Sequence, residues 1–229
     1  MGSTLIVNST SSWMPGGGTF DPARLYLAAK VQPENSTLAT FLREPIDDPY
    51  IDFSPLSQQE FKLILQAVVE MFGEVFNCEH PQFPNPLHVN RLSELKAMLI
   101  LDPRSEVEIA TCSLLIRSNS SWVVPCWIYN VALEQILSTL KLETLLPIKQ
   151  QESLFERIQL GLQTVSECDL TSLDEDELRA IYYCIDTLYR RYGDSGDGRG
   201  NISVSIPFLA SFAPRIVELH EMFKALLAT

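Results

Sequence analysis

Between Asp174 and Gly193 several independent signals agree on a helix. Leu178, Ile181, Ile185, Leu188 and Tyr192 alternate three and four residues apart, which places them on one continuous face. Asp174, Glu175, Asp176 and Glu177 crowd the end where the helix dipole is positive, Arg190 and Arg191 sit at the negative end, and Gly193 supplies a stop. Such a stripe is stable only when another apolar surface covers it, so the chain has to build a core out of packed helices.

The same pattern recurs along most of the sequence. After Pro55, Ser57 and Glu60 have capping-box spacing, and Phe61, Ile64, Leu65, Val68, Phe72 and Val75 form a wide apolar face to about Phe76. Arg91–Leu101 reads as a shorter helix stopped by Asp102-Pro103. Pro125 suits the first position of a helix carrying Tyr129, Leu133, Ile136, Leu137 and Leu140 inward. Leu154, Phe155, Ile158, Leu162 and Val165 mark another helix, and Ile216, Leu219, Phe223, Leu226 and Leu227 a last one from about Pro214. Residues 107–124 fit either of two structures: a hairpin through Val107, Ile109 and Trp122–Val124 turning at Asn119 and Ser120, or a helix capped by Ser105 and Glu108.

Residues 1–55 differ. Ser9–Ser12, Gly16–Gly18 and the prolines at 15, 22, 33, 45, 49 and 55 interrupt the backbone too often for long helices, so extended segments and turns are expected, with Leu5–Val7 and Leu25–Val31 as short strands. The glycine run lacks the Lys and Ser or Thr of a phosphate loop and reads as a turn. The fold expected is therefore mainly α, a helical bundle-like domain over 56–229. An irregular Pro/Gly/Ser-rich N-terminal segment, 1–55, adds short β-strands to one edge. Leu56 and Leu173, Glu60 and Glu177, Phe61 and Leu178, Lys62 and Arg179, and Ile64 and Ile181 fall in register. Any capped amphipathic helix draws on this vocabulary, so no duplication is inferred from it.

Composition narrows the function classes. The chain has 229 residues, 46% of them hydrophobic, which is ample for a core. Its 29 acidic against 17 basic residues give a net charge of −12, which opposes nucleic-acid binding and favours a partner protein with a basic surface. No run approaches the ~18 apolar residues of a membrane span, and Met1–Asn8 lacks the basic and apolar regions of a secretory signal. Five irregularly spaced cysteines, an odd number, fit reduced thiols and a cytoplasmic location.

Candidate chemical groups are few. Cys78, His80 and His88 could offer a metal one thiolate and two imidazoles, but no fourth ligand lies nearby, so neither a metal nor a cofactor is expected. Asp47, Asp48 and Asp52 with Tyr50 and Phe53 form an acidic, aromatic loop: the carboxylates could act as acid and base, and the rings could contact a basic partner. His220, beside Glu218 and Glu221, has the setting of a general base. Among Tyr182, Tyr183, Tyr189 and Tyr192, two can pack inward, leaving Tyr183 or Tyr189 for an interface. Gly193–Gly196 repeats the tetrapeptide around the nucleophile of trypsin-like serine proteases, yet a strong helix precedes it and no upstream histidine has the required context.

By elimination, the sequence points to a non-catalytic protein–protein interaction module of the adaptor, inhibitor, immunity-type or assembly kind. Its contacts would come from an acidic surface with Tyr50, Phe53, Tyr183 and Tyr189. One alternative is an enzyme or small-ligand binder with a pocket between helices, using Asp47, Asp52, His80 or His220. The other is a self-associating subunit, a homo-oligomer paired through the Leu178–Tyr192 stripe or the last helix.

Overall fold

The computed structural model describes residues 4–15, 17–44, 50–77, 83, 87–108, 110–117, 120–163, 167–193 and 206–228. The chain divides into two compact units, Met1–Val107 with Ser203–Phe208, and Glu108–Ile202 with Leu209–Thr229. The boundary drawn from composition at residue 55 falls inside the first. The fold is mainly α, as the periodicities indicate, and each unit also carries its own three-stranded sheet.

In the first unit β1 (Thr4–Asn8) turns into β2 (Ser11–Trp13) as an antiparallel hairpin, and β3 (Tyr50–Asp52) joins the other side of β1 in parallel. Alternation along β1 buries Leu5 and Val7. Between β2 and β3 lie α1 (Gly17–Val31) and α2 (Ser36–Arg43), where turns and a strand over Leu25–Val31 were expected. The prolines mislead because Pro15 and Pro33 fall outside these helices, leaving room between them; only Pro22 lies within α1. Asn35 caps α2, accepting the Leu38 N–H at 2.9 Å. Next comes α3 (Gln58–Phe76), whose Ser57–Glu60 capping box is present as read from the sequence. It is followed by α4 (Leu87–Leu101), one turn longer at its start than Arg91–Leu101.

A 3-10 turn, Pro103–Ser105, closes this unit and carries Arg104. Its guanidinium donates to the carbonyls of Val7 and Phe53, both at 2.7 Å, grips Asp102 at 2.8 and 2.9 Å, and lies 4.1 Å over the Phe61 ring. Ser105 does not cap a helix at Glu108; its hydroxyl donates to Ile100 and accepts from Val107.

The second unit resolves the ambiguous segment as a hairpin. β4 (Thr111–Arg117) pairs antiparallel with β5 (Ser120–Pro125), and β6 (Glu167–Asp169) lies parallel on the other side of β4. Pro125 is the cap of α5 (Cys126–Leu142), which buries Tyr129, Leu133, Ile136, Leu137 and Leu140 as expected. Then follow α6 (Ile148–Gln163), α7 (Glu175–Leu188), a π-helical turn (Tyr189–Gly193) and α8 (Ile206–Leu227). The last begins before Pro214 and runs through it. Of the stripe on α7 and its π turn, Ile181, Ile185, Leu188 and Tyr192 are buried and Leu178 half-buried. A disulfide, Cys112–Cys126, ties β4 to the start of α5, while Cys168 and Cys184 are buried thiols; Cys78 lies outside the described residues.

The two units repeat one another, which corrects the inference of no duplication. Both run strand, strand, helix, helix, strand, helix, helix, and both sheets place the first strand between an antiparallel and a parallel neighbour. Leu5 faces Trp13 as Leu114 faces Trp122, and the ladder slips at the same place, between Ile6 and Asn8 and between Leu115 and Arg117. Phe53 and Leu170 both donate to the first strand, to Ile6 and Leu115, at 2.8 Å. Asp52 then accepts the Ser54 N–H as Asp169 accepts that of Thr171, and the Ser57–Glu60 capping box matches Asp174–Glu177. The sequence does repeat beyond the helices: Ser9-Thr10-Ser11-Ser12-Trp13 returns as Ser118-Asn119-Ser120-Ser121-Trp122. Different spacings in the two halves of each repeat hide it, because the hairpins match at one offset and the third strands at another.

Candidate functional site

The place where the repeats differ most is the α5–α6 corner. Helix α2 has 8 residues and α6 has 16. Their buried pairs three apart, Ala39 with Leu42 and Ile158 with Gly161, set α2 against the C-terminal part of α6. That register is supported by packing: Gly161 lies against Cys168 on β6, and Leu42 and Ile51 of β3 line one small internal cavity. The first two turns of α6, from Ile148 to about Leu154, therefore have no counterpart in the first unit.

Those extra turns need an ordered connection, and Gln151 supplies it. Its amide oxygen accepts the N–H groups of Leu145 and Leu146 at 3.0 and 3.2 Å, and its amide nitrogen donates to the carbonyls of Leu140 and Glu143 at 2.6 and 2.9 Å. Both donors and both acceptor positions of the side chain are thus used on the end of α5 and the loop after it.

The result is an apolar cleft of about 500 Å³ between the end of α5 and the start of α6. Leu140, Leu146 and Phe155 contribute apolar surface, Ile148 stands 73% exposed at its edge, and Glu152 and Glu156 add exposed carboxylates. The Lys141 ammonium sits 5.1 Å from the Phe155 ring centroid, so the cation among the lining groups is drawn onto an aromatic face. On the other side of Leu146 a smaller hollow of about 290 Å³ is lined by Pro147, Asp176, Arg179, Ala180 and Tyr183. Tyr183 is exposed there.

Sequence reasoning placed Phe155 in the core and did not single out this corner. The usable signal was Ile148: with Leu154 and Ile158 defining the buried face, Ile148 falls off it, and an apolar residue there has no core to enter. Leu162 is half-buried, and Val165 lies outside the described residues.

The remaining candidates are dispersed. Phe53 is fully buried in the first unit and serves its core, which removes it as a contact surface; Tyr50 is exposed. The Asp52 carboxylate is engaged by the Ser54 N–H at 2.8 Å, and Asp47, Asp48, Cys78 and His80 lie outside the described residues, as does the Asp194–Gly196 segment. His88 does not stand free in a loop: it is on α4, its Nδ1 2.8 Å from the Thr19 hydroxyl and its ring edge-on to Phe83. Burial pushes its pKa below the ordinary value, favouring neutral imidazole. Among the described residues no group of three His, Cys, Asp or Glu side chains is placed to hold a metal.

His220 does acquire a carboxylate partner, though not Glu218, which pairs with Arg215. Its Nε2 lies 3.2 Å from both the Asp186 carboxylate and the Tyr182 hydroxyl, Nδ1 is 3.4 Å from Glu221, and the ring stacks on Tyr182 and Tyr189 with centroids at 5.3 and 4.2 Å. The ring is buried, and His220 lines neither of the two depressions above. It joins α7 to α8, and it holds Tyr189 half-buried against itself. Among the described residues no helix is long and apolar enough to cross a membrane. No protein family, no curated protein and no solved structure matches this chain.

Proposed function

We propose that this protein is a non-catalytic protein-binding module, an adaptor, inhibitor or assembly factor, whose partner seats in the α5–α6 cleft of the second unit. One observation carries the reading: the first unit completes the same fold without the extra turns that build the cleft, so those turns are not needed to form the scaffold. They leave Ile148 out of the core beside a partly exposed Phe155, a cost that a bound partner offsets by covering both. The His220 cluster suits the alternative of an enzyme less well, because its ring is covered by two tyrosines.

The test is selection of binders from a displayed library of helical peptides, followed by measurement on wild type and on Ile148→Asp and Phe155→Ala variants. Peptides that lose at least tenfold in affinity on either substitution support the cleft. Selected peptides indifferent to both would overturn it.

A cytoplasmic location belongs to the same proposal. The buried thiols Cys168 and Cys184 favour it, while the Cys112–Cys126 bond is of a kind commoner in oxidising compartments. Whether that bond is present in protein isolated under alkylating conditions decides between them.

A further inference from the structure

The chemistry of the occupant can be read from the shape and charge of the cleft, and this inference rests on the protein-binding reading above. On α6 the lining residues are Ile148, Gln151, Glu152, Phe155, Glu156 and Gln159. Their spacing of three, one, three, one and three is a single stripe along one helix face, about 17 Å long at 1.5 Å per residue. A stripe of that form, flanked by the end of α5, is the surface against which another helix packs lengthwise, ridge into groove. A partner helix of about three turns would lay its residues at i, i+3 or i+4, and i+7 between Ile148, Leu146 and Phe155.

The stripe itself carries two carboxylates and no cation, Lys149 standing exposed on its flank. Glu152 and Glu156, four apart and both exposed, make no ion pair among the described residues. Lys141, the cation that lines the cleft, lies over the Phe155 ring. Over the whole chain 29 acidic residues face 17 basic ones, a field that draws cationic segments toward the surface. We infer that the cleft takes an amphipathic helix of another protein, with large aliphatic residues on one face and Lys or Arg flanking that face opposite Glu152 and Glu156.

Two synthetic sixteen-residue helical peptides with the same leucine face, one flanked by Lys and Arg and the other by Glu, are titrated by fluorescence anisotropy against the full chain. They are also titrated against Ile148→Asp and the double variant Glu152→Lys, Glu156→Lys, each checked for unchanged helicity. The basic peptide is expected to bind wild type at least tenfold more tightly, to weaken as salt is raised, and to lose its advantage on the double variant. Equal or better binding of the acidic peptide, still lost on Ile148→Asp, would overturn the basic partner and leave the cleft reading standing. Binding of neither peptide, or binding insensitive to Ile148→Asp, would overturn both.

Discussion

Trp13 and Trp122 occupy the same position in two copies of one arrangement, opposite Leu5 and Leu114, yet among the described residues Trp13 has a partner for its indole N–H, the Arg91 carbonyl at 2.8 Å, and Trp122 has none. Both rings are buried. The equivalence makes the pair a controlled comparison, because phenylalanine removes the same atoms at the same place in the same topology.

Trp13→Phe loses packing and a hydrogen bond, whereas Trp122→Phe loses packing and removes a buried donor that has no acceptor. With a net hydrogen bond contributing about 1 kcal/mol and an unsatisfied buried donor costing about 1–3 kcal/mol, Trp122→Phe should be the milder change by at least 1 kcal/mol. Urea denaturation of the two variants checks this, and a larger loss at Trp122 would contradict it.

Arg104 holds together parts of the first unit that are distant in sequence: β1 through Val7, the end of β3 through Phe53, α3 through the Phe61 ring, and Asp102 on its own turn. Lysine keeps the charge but has no planar fork, so Arg104→Lys cannot reach all of these. Arg104→Met additionally leaves the buried Asp102 carboxylate without its cation, a change that typically costs about 3–5 kcal/mol. The expected order of stability in denaturant is wild type, then Lys, then Met, and equal loss for Lys and Met would show that charge pairing is minor.

What the sequence revealed and concealed follows from where each signal resides. Helices α3, α5 and α7 were legible because their signals are local: an apolar stripe in each, a capping box at Ser57–Glu60, Pro125 ahead of α5 and acidic residues at the start of α7, where Asp174 and Glu177 also form a capping box that was not read. Helix α1 was hidden because its prolines look alike in a list but act by position, Pro15 and Pro33 outside and Pro22 within. The duplication was missed because its two matching blocks lie at different offsets, the longer α6 intervening between the hairpin and the third strand. The cleft was invisible for a related reason. Its walls come from the end of α5 and the start of α6, and Phe155 departs from the core only in the folded register.

The cysteines give a third test. Burial pushes the thiols of Cys168 and Cys184 up to about 11 and about 12, so little thiolate exists near neutral pH and neither sulfur is accessible. Native protein treated with iodoacetamide should carry no label on either, and both should label in denaturant. Cys112 and Cys126 should label only after reduction. Their bond closes a loop across a sequence separation of 14, so replacing both by Ser is expected to cost about 3 kcal/mol. Labelling of Cys112 in unreduced, denatured protein would remove the disulfide from the description.

Acid should weaken the first unit in two stages. His88 has a folded pKa lowered by burial from an ordinary 6.5, so its contribution is fully present above 6.5 and is lost as pH falls through the lower folded value, because the unfolded chain takes up the proton first. For Asp102, burial alone would raise the pKa, but bonds from Arg104 and Asn8 prevail and hold it below the ordinary 3.8. Its contribution persists through the first window and is lost only as pH falls below 3.8 through its folded value. Replacing His88 by Asn should therefore flatten the loss of stability that begins near pH 6.5 while leaving the steeper loss at lower pH. Asn8→Ala should leave the His88 limb in place while lowering stability above pH 3.8 and shrinking the loss below it, because it brings the folded Asp102 pKa closer to the unfolded value. Urea midpoints measured every half unit from pH 8 to 3 separate the two, and a His88→Asn profile parallel to wild type between pH 7 and 5 would show that His88 does not titrate in the folded protein as its burial requires.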